Sequence, residues 1–156
     1  MKILKNILMT IGAIVVLFAV LAVFLFKGSV DFKEQNTEFV VKFMNDLSNN
    51  WHVSDVYPRL TNEMVQRSES PDAKRFFGMS RQLGKLVSIQ DVELQNYHSG
   101  TDAVVGIFVF KAEFEHGQAL VTVTLQEKEG KVQVQALNIN PTEVPFFSNK
   151  SSEFGT

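Results

Sequence analysis

Residues 7–26, ILMTIGAIVVLFAVLAVFLF, form twenty consecutive positions without a charged side chain. At a rise of about 1.5 Å per residue, a helix of that length matches the ~30 Å hydrocarbon core of a bilayer. The run is longer than the ~7–15 apolar residues of a secretory signal. Its exit, Phe24-Leu25-Phe26-Lys27, is too bulky for a small-x-small cleavage site. The expectation is a retained single-pass anchor. The 156-residue chain then divides into a short tail and membrane helix over 1–27, a folded domain over 28–141 and a C-terminal tail over 142–156. Lys2 and Lys5 precede the apolar run, whereas Lys27 is soon followed by Asp31 and Glu34. The positive-inside bias therefore places the N-terminus in the cytoplasm and the domain outside, which in a Gram-negative cell means the inner membrane and the periplasm.

Charge and cysteine usage narrow what the outer part can do. Of 15 Lys+Arg, Lys2, Lys5 and Lys27 flank the span, leaving 12 against all 17 Asp+Glu, a balance of −5 beyond Lys27. An acidic domain without a Lys/Arg stripe does not attract phosphate backbones, so nucleic acid is excluded as a partner. With no cysteine in the chain, a disulfide scaffold, a thiol nucleophile and a Cys-ligated metal are excluded as well.

Beyond the span, Phe32, Phe39, Val40, Phe43, Met44 and Leu47 recur at helical spacing among charged residues. This predicts an amphipathic helix over 31–48 that continues almost directly from the membrane helix. Asn49-Asn50 breaks it, and residues 51–60 (WHVSDVYPRL) read as a short helical piece that Pro58 keeps irregular. Ser70-Pro71-Asp72 supplies a cap, a proline at the first helical position and an acid in the first turn, and Gly84 is expected to close the same helix. From Lys85 the period changes to two. Residues 86–97, 103–114, 118–126 and 131–139 read as four strands joined by short turns. The last three form an antiparallel meander. On the fourth the apolar parity slips between Val134 and Leu137, which predicts a bulge.

The order of these elements, with Trp51 opening the second helical piece, Leu60-Thr61-x-x-Met64 after it and Leu83-Gly84-Lys85 before the strands, resembles the NTF2-like, cystatin-like superfamily. Phe77 six residues before Leu83-Gly84, the hairpin 121–134 turning at Glu129-Gly130, and Leu137-Asn138-Ile139 are similar to small bacterial exported members of no assigned function. The resemblance implies an α+β fold, three helical segments on a curved four-stranded antiparallel sheet, with a conical pocket in which enzymes of the superfamily place acid-base dyads. The assembly factors of type IV secretion channels share the anchor-plus-domain architecture. Their Asn-Pro-x-Gly motif has no counterpart, since Asn140-Pro141 is followed by Thr142-Glu143.

Residues that such a pocket could recruit are Trp51, Asp55, Tyr57, His98 and Glu113. No spacing among them pairs a general base with an orienting partner. The three histidines have no i, i+4 relation, so neither a catalytic residue, a metal nor a cofactor is expected. The 103–114 strand is apolar on both faces: Phe108 and Phe110 alternate with Ile107 and Val109. One face must pack on the helices, and the other is a contact surface, for which Phe108, Phe110, Val121 and Val123 are the candidates. The expected function is a membrane-anchored binding or scaffolding module that contacts a second copy or another envelope protein and is not an enzyme. The alternative is a small-molecule lyase, isomerase or ligand-binding protein that uses the pocket.

Overall fold

The computed structural model describes residues 1–142 and, within them, all side chains except those of residues 2, 4–8 and 25. The expected tail beyond Thr142 lies outside the described residues. The architecture is α+β, with an apolar N-terminal helix and one open four-stranded antiparallel sheet. Two compact units divide the chain, Met1–Asn36 and a second that begins at Thr37.

Helix α1 runs unbroken over Lys2–Ser48. The span and the amphipathic segment expected as neighbours are one helix, because no proline or cap intervenes and Gly28 alone does not stop a helix. In the first unit every residue from 9 to 24 is exposed. An apolar helix with no polar face is suited to a hydrocarbon environment, and this segment is long and apolar enough to cross a membrane.

In the second unit, α1 buries Val40, Phe43, Met44 and Leu47 at no more than 1% exposure. A 3-10 helix follows over Val53–Arg59, with Pro58 inside it. It is tied back to α1 by an Arg59–Asp46 ion pair of 2.6 Å. Helix α2, Asn62–Ser68, was not foreseen. Its signal is local: the Thr61 hydroxyl accepts from the Met64 amide at 3.2 Å, an N-cap bond with no long apolar stripe behind it. Helix α3, Pro71–Ser80, is capped as expected by Ser70, whose hydroxyl accepts from the Ala73 amide. It does not reach Gly84. The chain tightens into a 3-10 turn over Arg81–Leu83, and Gly84 takes φ 78° and ψ −160°. That backbone region is open essentially only to glycine.

The sheet is a plain meander of β1 (Leu86–Ser99), β2 (Val104–Phe114), β3 (Gly117–Lys128) and β4 (Lys131–Pro141), in that spatial order. Glu129 and Gly130 have φ of 53° and 76° between β3 and β4. Two positive φ values in a two-residue loop match the twist of a hairpin. The register shift expected on β4 is present opposite Thr124/Leu125, where Gln135 is the extra residue. Both edges are interrupted. β1 has three register shifts along its pairing with β2. On β4, Leu60 bridges Val134, the Thr61 amide donates to the Val134 carbonyl at 3.0 Å, and the Gln133 side chain donates to the Leu60 carbonyl at 2.8 Å. Shifts and cover of this kind remove the flat row of free backbone groups that would recruit another strand.

Cross-strand partners share a face. Phe108 pairs with Val123 and Phe110 with Val121, and all four are 0–1% exposed. With Phe114, Leu125 and Val134 they make the inner face, and the core lies between it and the helices. The expectation that these four residues form a contact surface is therefore corrected. Bulky aromatics at alternate positions fill the space under the helices, and the residues between them face outward.

Candidate functional site

Two surfaces of the second unit carry site residues named from the sequence, and a third, between α1 and β1, carries none. The first is the outer face of the sheet. Val105, Ile107 and Val109 on β2 lie beside Thr122, Thr124 and Gln126 on β3, and Thr124 pairs in turn with Ala136 on β4. Leu120, 39% exposed, extends the strip at one end. Its borders are polar: Glu93, Asn96 and His98 pair with Val109, Ile107 and Val105 on one side, and Asn138 pairs with Thr122 on the other. Lys111 and Glu113 close the end near Leu120. An apolar centre with a polar rim is the anatomy of a protein contact.

The second surface is a cleft of about 360 Å³ among the 3-10 helix, α2 and α3. Trp51 and Phe77, 5% and 7% exposed, form its apolar floor. Trp51 is placed by the end of α1: its amide donates to the Leu47 carbonyl, its φ is 58°, and its indole N–H donates to the Gly84 carbonyl. On one side the Tyr57 hydroxyl donates to Glu69 Oε1 at 2.5 Å and lies 3.4 Å from the Ser68 hydroxyl, whose own proton goes to the Val65 carbonyl at 2.6 Å. On the other, Arg81 Nη2 lies 2.7 Å from His52 Nε2. A guanidinium can only donate, so in this contact the imidazole nitrogen is the acceptor. Lys74 completes the rim.

The five residues proposed from sequence for a pocket are not brought together. Trp51 and Tyr57 line the cleft. Asp55 is exposed and accepts from the Asn50 side chain at 2.7 Å, holding the turn after α1. His98 and Glu113 lie on the outer face of the sheet, Glu113 accepting from the Ser88 hydroxyl at 3.2 Å. Lys74 and Arg81 lie seven apart along α3 and its C-cap, whereas Glu69 follows α2 and Tyr57 belongs to the 3-10 helix, so packing and not one spacing brings them together. Among the described residues, no three His, Asp or Glu side chains are grouped to hold a metal ion.

Comparison with known proteins adds no relative to this geometry. No family model matches the chain. No curated protein and no solved structure shows significant similarity to it.

Proposed function

We propose that this chain is a single-pass membrane protein whose extramembrane domain, of NTF2-like type, acts by contact with another protein and not by catalysis. The observation that carries this reading is the outer sheet face, where Val105, Ile107 and Val109 of β2, flanked by Leu120 and Ala136, form a half-buried apolar strip bordered by polar side chains. An isolated antiparallel sheet exposes a polar face to water, so an apolar one points to a partner. The broken edges of β1 and β4 favour a face contact over strand addition. Support for the anchor comes from the apolar run of residues 7–26, and Lys2 and Lys5 favour a cytoplasmic N-terminus with the domain in the periplasm.

A second copy is the favoured occupant, since Lys111 and Glu113, two apart on one face, are self-complementary across a two-fold axis. Photo-crosslinkers placed at Ile107 and at Gln82, the latter exposed in the 3-10 turn after α3, test this in native membranes. The expected result is a dimer-sized adduct from position 107 and none from position 82. A heterologous adduct at 107 replaces the second copy by another envelope protein. No adduct at 107, or equal adducts at both positions, overturns the contact reading.

A further inference from the structure

We infer that the cleft floored by Trp51 and Phe77 is a binding site for a small carboxylate with an apolar body. Its wall on α3 is one helical stripe at i, i+3, i+4 and i+7: Lys74, Phe77, Gly78 and Arg81. Two cations thus stand at the ends of an apolar and open stretch, about 10 Å apart along the axis. Neither has a carboxylate within salt-bridge distance among the described residues. Arg81 uses only Nη2, toward the Asn50 carbonyl and the His52 ring, which leaves its other donors for a ligand. The acid in the cleft, Glu69, is already occupied by the Tyr57 hydroxyl. The local balance therefore favours an anion, and the planar donor fork of arginine favours a carboxylate.

Gly78 is an independent sign. It lies inside α3, where glycine destabilises a helix relative to alanine. A Cβ built there meets no atom within 4 Å, so neither crowding nor backbone conformation demands glycine. What its missing side chain does is keep the cleft open above the apolar floor. At about 360 Å³ the space is at the small end of the range for ligand sites, which restricts the body to roughly the size of one ring.

The chain's single tryptophan, Trp51, forms part of the floor and reports occupancy. The full chain in detergent micelles is titrated with benzoate, benzyl alcohol and inorganic phosphate while Trp51 fluorescence is followed. Saturable binding of benzoate at millimolar concentration or below is expected, with at least tenfold weaker binding of both other probes. Arg81→Gln and Lys74→Gln should each weaken benzoate tenfold or more. Gly78→Leu should abolish binding while its helical circular dichroism and melting temperature stay at or above those of the parent. No saturable change with benzoate, equal affinity for benzyl alcohol, preference for phosphate, or undiminished binding in a folded Gly78→Leu chain would each overturn the inference.

Discussion

The indole N–H of Trp51 donates to the carbonyl oxygen of Gly84 at 2.9 Å, joining two residues that both have positive φ, 58° and 78°. One lies three residues past the end of α1 and the other two residues before the first strand, so a single side-chain bond fixes the exit of the helix against the entry of the sheet. A bulky residue in the left-handed region costs about 1–2 kcal/mol. Here that cost is offset by burial to 5% exposure and by the Phe114 ring at 5.7 Å.

Replacing Trp51 by Phe keeps an aromatic ring and deletes the donor. The Gly84 carbonyl then loses its partner, a change that costs about 1–3 kcal/mol when the group stays dry. Urea unfolding of the full chain in micelles, followed by circular dichroism, should show a fall in midpoint of that size. An unchanged midpoint would mean that water takes over the bond.

Gly84 itself is predicted to be intolerant for two separable reasons. A Cβ there would lie 2.7 Å from Glu115 Oε2, and φ 78° with ψ −160° is strained for any L-residue. Gly84→Ala should destabilise by about 1–3 kcal/mol. Adding Glu115→Ala removes the Oε2 contact but leaves the residue 115 Cβ at 3.0 Å and His116 Cδ2 at 3.1 Å, and it deletes the carboxylate that accepts from the Lys85 amide, so the double variant should recover only part of the loss. Full recovery would show that the clash, not the backbone, matters.

Adjacent residues of β2 should respond in opposite ways. Phe108 is 0% exposed, and Phe108→Ala should cost about 3–5 kcal/mol through the cavity it leaves. Ile107→Lys, on the outer face, should leave unfolding within about 0.5–1 kcal/mol of the parent and abolish the dimer captured by a photo-crosslinker moved to its cross-strand partner Thr124. If Ile107→Lys instead unfolds the domain, the outer face is core and the contact reading fails.

The anchor can be challenged by charge. Val16 and Leu17 sit at the middle of the apolar run, where each lysine disfavours insertion by about 2.5–3.5 kcal/mol. The parent chain should remain in the membrane pellet after alkaline carbonate extraction, and a Val16→Lys/Leu17→Lys chain should move to the supernatant. A mature N-terminus downstream of Lys27 would identify the run as a cleaved signal.

The strands and their turns were legible in the sequence because one rule, alternation broken by glycine turns, governs 86–139. Even the slip between Val134 and Leu137 showed as a parity error and is present as a register shift. Which of two apolar parities faces inward was not legible. Ile107/Val109 and Phe108/Phe110 look alike as patterns, and only volume under the helices selects the phenylalanines. Helix α2 escaped notice because seven residues cannot establish a period; Thr61 as its cap was the available sign. The cleft was least visible, since Tyr57, Glu69 and Arg81 meet through packing of three short segments. Beside Trp51 and Tyr57, which the sequence did offer, Gly78, a glycine with no turn to make, is the residue there that sequence could also have singled out.

The interrupted edges of the sheet set the stoichiometry of whatever it binds. A membrane concentrates its proteins in two dimensions, where a free strand edge would allow indefinite addition of copies. With β1 broken by register shifts and β4 partly occupied by the Leu60 bridge, growth in the plane of the sheet is blocked. A face, once covered, has no second side to offer, because the opposite one is filled by the protein's own helices. If the outer face is the contact surface, association through it would end at one partner per domain, in a closed pair and not a filament.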